Sequence, residues 1–216
     1  MSALDFDRIG VVVGLTAEAR IARRLFTRVE VGGGTVAGAE AAAQRLIGQG
    51  ARALVSFGLA GGLDPMLRPG AVIVPEAVVT HGRHLATDPD LNGLLGGVTA
   101  HTLLGADGVA AMAAAKRHLF VATDCAAVDV ESGAVAETAD AAGLPFAVLR
   151  AICDPAERDL PPAALCALSD GGAIGLLRVM GSVIAQPGQI PALIALGQDA
   201  AAARRALLSW VRTLDR

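Results

Sequence analysis

Tyrosine is absent from this 216-residue chain, and aromatic residues make up only 3% of it. A ligand ring held here has few aromatic faces to stack on, so its apolar contacts must come largely from aliphatic side chains. Cysteine is scarce too. Cys125, Cys153 and Cys166 are odd in number and form no C-x-x-C pair, which argues against a disulfide framework and a structural zinc site. No uninterrupted apolar run reaches the roughly 18 residues of a membrane span. The nearest stretch, 171–196, is broken by Arg178, Gln186, Pro187, Gln189 and Pro191. The opening MSALDFDRIG has no basic region ahead of an apolar core, so the expectation is a cytoplasmic protein without a secretory signal. A net charge of -3 and a pI near 5.8 leave no basic face for nucleic acid, and Arg20, Arg23, Arg24 and Arg28 read as a solvated helix face.

Hydrophobic residues make up 53% of the chain, with a mean hydropathy of +0.53, and much of this is helix-favouring alanine. Short β-branched runs alternate with helical patterns. RIGVVVG (8–14) reads as a buried strand, followed by a helix from Thr16, its N-cap, to Thr27. RVEV is extended, GGG (32–34) breaks it, and Val36, Ala39, Ala43, Leu46 and Ile47 recur at helical spacing. ARALVSFGLAGGL (51–63) reads as a strand ending in a glycine-rich turn, GAVIVPEAVV as a strand pair or bent strand, and 80–98 as loops. AHTLLGAD, AAVDV and PFAVLRAIC read as strands, GVAAMAAAKRHLF and ESGAVAETADAAG as helices, the latter closed by Gly143, and the remainder as mostly helical. The expected fold is a three-layer α/β/α domain over residues 1–216, with a central mixed, twisted sheet flanked by helices.

Ligands of such sheets gather beyond the carboxyl ends of strands. Three acids stand there: Glu18 after VVVG, Glu131 after VDV and Asp154 after VLRAIC. Each alone also fits the first turn of a helix, where it complements the dipole. Together they suit cleavage of a glycosidic bond, in which one acid serves the leaving group and a base serves water. A third carboxylate can bind vicinal ribose hydroxyls. The glycine loops GGGTVAG and FGLAGGL allow close backbone approach to a ligand, but neither makes a clean G-x-G-x-x-G with an acid about 20 residues on. Leu59 stands where a serine nucleophile elbow would need Ser. His81, His84, His101 and His118 lack the spacing of a metal site and read as surface residues; neither a metal nor a cofactor is expected.

The segments VVVGLTAE, SFGLAGGLDPMLRPGAVIVPE and AVDVESGAVAETADAAGLPFAVLRAICDPA resemble, in order and spacing, the nucleoside phosphorylase/nucleosidase superfamily over about residues 9–156. The closer resemblance is to its methylthioadenosine/S-adenosylhomocysteine nucleosidase branch, and within the superfamily the chain looks most like the hopanoid-associated phosphorylases, which act on adenosylhopane. The resemblance implies that Glu18 is the base activating water, that Glu131 binds the ribose hydroxyls, and that Asp154 protonates purine N7. It places Asp107 and Val109 of GADGVA in the loop that contacts the base, and Gly61 in the glycine-rich AGGL. Three positions depart from the family pattern. Leu59 replaces a serine, Val130 a methionine and Val109 an aromatic, which leaves Phe57 or Phe120 to stack on a purine. An aliphatic pocket of this kind suits a bulky 5′-substituent.

Hexameric phosphorylases of the superfamily carry arginine at the position of Glu18, and nucleosidases carry glutamate. The resemblance therefore implies hydrolysis, with release of adenine from a 5′-substituted adenosine. Arg20 and the GGG amides leave an anion site open, so a phosphate-dependent phosphorylase stays an alternative, as does a non-catalytic nucleoside binder. The implied partner is a small nucleoside, lipid-linked if the 5′-group is a hopane, and the chain is expected to form a homodimer or a higher homo-oligomer. The apolar 171–196 segment is open to three readings: peripheral membrane contact, a subunit face, or a lid.

Overall fold

A computed structural model describes residues 6–165 and 185–215. After the turn Phe6–Arg8, β1 (Ile9–Val13) is buried along its whole length, as expected of a parallel strand covered on both faces. It lies parallel between β2 (Arg28–Val31) and β3 (Ala53–Gly62). On its other side β3 pairs in parallel with β9 (Phe146–Asp154), and β4 (Val72–Ile73) pairs antiparallel with β9. A second group holds β5 (Pro75–Thr80), β7 (Ala100–Gly105) and β8 (Ala127–Asp129) in parallel, with β6 (Arg83–Ala86) as an antiparallel edge. The two groups join where the end of β3 meets β8 antiparallel, Gly61 opposite Val128 and Gly62 opposite Ala127.

Side chains alternate across this sheet and divide the core in two. Val12, Leu54, Val148 and Ile152 pack under α2 (Val36–Gly48) and α5 (Ser132–Ala141), against Ala39, Leu46, Val135 and Ala139. Val11, Val13, Val55 and Leu149 face α1 (Thr16–Ala22), α3 (Pro89–Leu94) and the last helix, met there as Ala19, Leu91, Ala203 and Leu207. The result is the expected three-layer α/β/α arrangement. The remaining helices are α4 (Ala113–Thr123), α6 (Pro162–Leu165) and α7 (Ile190–Leu214).

The local signals work where they have a mechanism. Thr35 caps α2 by accepting from the Gly38 amide at 3.1 Å, Asp88 caps α3 from Leu91 at 2.9 Å, and Gly143 leaves α5 with φ of 62°. Five readings need correction. Thr16 is inside α1, and Leu15 is the cap, because the buried Glu18 carboxylate accepts the Leu15 amide at 2.7 Å. Helix α1 ends at Ala22 rather than Thr27, since the chain turns there to drive Phe26 into the core, edge-on to Phe6. Arg28 accordingly belongs to β2 instead of the helix face. The glycines of FGLAGG do not form a turn: β3 runs extended through Gly62, and 80–98 holds β6 and α3 instead of loops alone.

Helix α7 lies along β9 with Ala203, Leu207 and Val211 buried four residues apart, and the Trp210 indole donates to the Leu95 carbonyl at 2.8 Å. Residues 166–184, with Cys166 and most of the apolar 171–196 segment, lie outside the described residues. No helix among the described residues is long and apolar enough to cross a membrane. Leu207→Ala should destabilise the protein by about 2–5 kcal/mol in urea unfolding, as a fully buried side chain whose loss leaves a cavity. Ser209→Ala, on the exposed side of the same helix, should change it by less than about 0.5 kcal/mol.

Candidate active site

The register of β3 explains how acids 113 residues apart in sequence come together. Val13 is level with Phe57 and Arg150 with Gly58, so the end of β1, the middle of β3 and Arg150 on β9 form one row across the sheet. Antiparallel pairing sends β8 back along β3 from Gly61, and Glu131, three residues past Val128, returns to that row. Two glycines clear the space. A Cβ on Gly14 would stand 2.8 Å from Glu131 Oε2, and one on Gly58, whose φ is 154°, would stand 2.6 Å from Arg150 Nη1 and 2.7 Å from Glu18 Oε1.

Arg150 is the hub. It is 1% exposed and surrounded by carboxylates: Nε lies 2.6 Å from Asp129 Oδ2, off the hydrogen-bond line, and Nη1 and Nη2 each lie 3.3 Å from Glu131 Oε2. Nη2 also donates to Ser56 Oγ at 2.7 Å, and Ser132 Oγ stands 2.5 Å from Asp129 Oδ2. The Glu18 carboxylate is fixed by two backbone amides, Leu15 at 2.7 Å and Leu59 at 2.9 Å. Leu59 thus serves through its backbone. Glu131 Oε1 is buried and has no hydrogen-bond partner among the described residues, which suits an acceptor kept for a ligand.

Asp154 lies three register positions along β3, beside Gly61, about 10 Å from the row at the usual strand rise. The register slips between Ala60 and Gly61, a bulge that re-aims β9 as it reaches Asp154. Asp154 Oδ2 is 2.5 Å from Lys116 Nζ, while Oδ1 is buried with no hydrogen-bond partner among the described residues. The structure thus gathers Glu18 and Glu131 at one pole and Asp154 at the next.

The other expected residues divide. Val130 is half-buried between Asp129 and Glu131. Asp107 and Val109 are exposed on the loop after β7, where His81 bonds Asp107 at 3.0 Å and Glu137 at 2.9 Å. Phe57 is fully buried among Val13, Val55 and Leu149 and has no free face for a purine, whereas Phe120 is half-buried beside Leu63. All four histidines are exposed, and no group of three ligating side chains among the described residues could hold a metal. Arg20 is exposed, on the opposite side of α1 from buried Glu18. Sequence reasoning passed over Arg150, Asp129, Ser56, Ser132 and Lys116. The available signal was a charge inside an apolar run, Arg in AVLRAIC and Lys in AAAKRHLF, which a buried element tolerates only with partners.

Burial dominates the electrostatics. It raises the Glu18 pKa above the ordinary value, against the opposing pull of Arg150 and the Leu15 and Leu59 amides. Burial pushes Glu131 up to about 7 despite Arg150, with Glu18 and Asp129 adding to the rise. Burial also raises Asp154, opposed by Lys116. Desolvation works against the Arg150 charge, but Asp129, Glu131 and Glu18 outweigh it and keep the guanidinium protonated. Cys153 is pushed by burial up to about 12 and is no nucleophile at neutral pH.

The sequence profile of the phosphorylase superfamily matches residues 27–93. No curated protein matches the chain in sequence at a significant level. Among solved structures, Helicobacter pylori 5′-methylthioadenosine/S-adenosylhomocysteine nucleosidase is similar at a TM-score of 0.67 and 16% identity, over 97% of this chain and 100% of that one. Streptococcus pyogenes S-adenosylhomocysteine nucleosidase gives 0.66 and 16%, over 98% and 99% of the two chains. Futalosine hydrolase of Helicobacter pylori gives 0.66 and 17%, over 96% and 98%. The chain has the nucleoside phosphorylase/nucleosidase fold. In this nucleosidase-like fold Glu18 stands in the helix after β1, Glu131 at the helix cap after β8 and Asp154 at the end of β9, strands that the sheet brings to β3.

Glu18, Glu131 and Asp154 bind protons more tightly folded than unfolded, so their contribution to stability is present at low pH and is lost as each ionises with rising pH, Glu131 doing so at about 7. The thermal midpoint should fall between about pH 5 and pH 7.5, and fall less in Glu131→Gln. A midpoint that rises over this interval contradicts the assignment.

Proposed function

We propose that the protein is a purine nucleosidase that hydrolyses the N-glycosidic bond of a 5′-substituted adenosine. The observation that carries this reading is the buried cluster in which Glu18, Asp129 and Glu131 share the Arg150 guanidinium. Such a cluster has surplus negative charge. An inorganic phosphate dianion about 4 Å from one of these carboxylates would meet repulsion of about 4 kcal/mol per charge pair at an effective dielectric near 20. Water meets none, and Glu18, with a raised pKa and a fixed orientation, suits the role of its base.

In the proposed reaction a water oxygen bonds to C1′ as the C1′–N9 bond breaks. The water proton passes to Glu18. The bond's electron pair leaves with adenine, whose N7 takes a proton from Asp154. Glu131 accepts from the ribose hydroxyls through its unpartnered Oε1, and the spacing of about 10 Å between the poles is the length scale of a nucleoside. Asp107, Val109, Val130, Gly61 and Leu59 are proposed to line the base and sugar, and Phe57 is withdrawn from that set because it is fully buried. The solved relatives support the reading through their fold, and they are nucleosidases of methylthioadenosine and S-adenosylhomocysteine and a futalosine hydrolase.

The proposed 5′-substituent is large and apolar, as in adenosylhopane, which would place the reaction in hopanoid biosynthesis. The scarcity of aromatic residues and the aliphatic positions Leu59, Val109 and Val130 support this. A cytoplasmic homo-oligomer is the proposed working form.

Purified protein should release adenine from 5′-substituted adenosines at a rate unaffected by phosphate; strict phosphate dependence would establish a phosphorylase, and no release a binding protein. Glu18→Gln should slow release by about 100- to 10,000-fold, and Asp154→Asn should abolish most turnover while nucleoside binding stays measurable. Near wild-type rates in either variant remove that residue from the scheme.

A further inference from the structure

Lys116 has no exposed surface, although it stands on α4 between exposed Arg117 and half-exposed Ala115. A lysine tolerates this only when its ammonium is fully partnered. Its three protons have three acceptors: Asp154 Oδ2 at 2.5 Å, the Arg158 carbonyl at 2.9 Å and the Pro155 carbonyl at 3.0 Å. The same loop is tied to α4 a second time, where Asp159 accepts the Ala113 amide at 2.7 Å. Lys116 therefore grips both the Asp154 carboxylate and the chain that follows it. One carboxylate oxygen is taken by the ammonium, and the other, Oδ1, is buried with no partner among the described residues.

We propose that Lys116 is a positioning residue for the leaving-group acid: it holds Asp154 by Oδ2 so that Oδ1 alone meets the purine, and its ammonium stabilises the carboxylate formed when the proton leaves. This rests on the nucleosidase reading above. The proton on Oδ1 passes to the purine nitrogen as the base departs with the glycosidic electron pair. Asp154 is left as a carboxylate, the Lys116 ammonium stays charged throughout, and Oδ1 recovers a proton from solvent after product release. The other charges facing Asp154 are Arg158 from the same loop and Asp199 from α7, which are paired with each other. Lys116 is thus the cation in direct contact with the acid.

The test compares two leaving groups in wild type and Lys116→Met. 5′-Methylthioadenosine requires a proton on its departing base, whereas 4-nitrophenyl β-D-ribofuranoside leaves as a stable phenolate without one. In Lys116→Met, kcat for adenine release should fall by about 10- to 100-fold, and nitrophenolate release should stay within about threefold of wild type. The alkaline limb of kcat for adenine release should move to higher pH, because a carboxyl that loses its cation holds its proton more tightly. Lys116→Met should add nothing further in an Asp154→Asn background. That double variant removes both buried charges together, so it stays informative if the single variant folds poorly. Equal loss with both leaving groups, an unmoved pH limb, or a further loss in the Asp154→Asn background would overturn the proposal. Wild-type protein that releases neither adenine nor nitrophenolate would instead sink the nucleosidase reading itself, and this proposal with it.

Discussion

A guanidinium with almost no exposed surface has to be answered by carboxylates, and the arrangement of the sheet around Arg150 provides them. Arg150 stands on β9, the strand packed directly under α7 and paired along β3, where water cannot screen it. Asp129 comes to it from the end of β8, Glu131 from the cap of α5 just beyond, Glu18 from the first turn of α1, and Ser56 from β3 itself. Removing the guanidinium itself would leave these carboxylates buried without their cation. Burial, with Glu18 and Asp129 adding to it, pushes Glu131 up to about 7, and in the proposed reaction the surplus of acid over base disfavours an incoming anion.

The fold provides the geometry through register. Because β1, β3 and β9 are parallel and β8 turns back antiparallel, residues remote in sequence reach one level of the sheet, and Gly14 and Gly58 leave room for the carboxylates that meet there. The bulge between Ala60 and Gly61 then separates this pole from Asp154, which has its own cation, Lys116. In the proposed reaction these two acid–cation systems, about 10 Å apart, take the two ends of a nucleoside, with sugar and attacking water at one and departing base at the other.

Much of this was legible in the sequence. The alternation of β-branched runs with alanine-rich helical patterns led to the three-layer architecture, since each run is long enough to be a strand and each pattern has one apolar face. Glu18, Glu131 and Asp154 stand out in the sequence by their places after strands, and the structure buries all three. The cations were harder to see. Arg150 and Lys116 lie within apolar or helical stretches, and periodicity alone does not say which charged side chain is buried; that depends on partners contributed by distant elements. The glycines of FGLAGG misled for a related reason: glycine commonly marks a turn, but here Gly58 serves a close approach inside a continuous strand. The scarcity of aromatics offers Phe57, beside Phe120, as a face for a purine, yet its alternation along β3 sends it into the α1 and α7 side of the core.

The central claim is that the cluster around Arg150 admits water and disfavours phosphate. Turnover of a 5′-substituted adenosine in 18O-labelled water, with millimolar inorganic phosphate present, tests it most directly when the sugar product is read by mass spectrometry. The account predicts a free sugar carrying one 18O at C1. Accumulation of an unlabelled sugar 1-phosphate would contradict it.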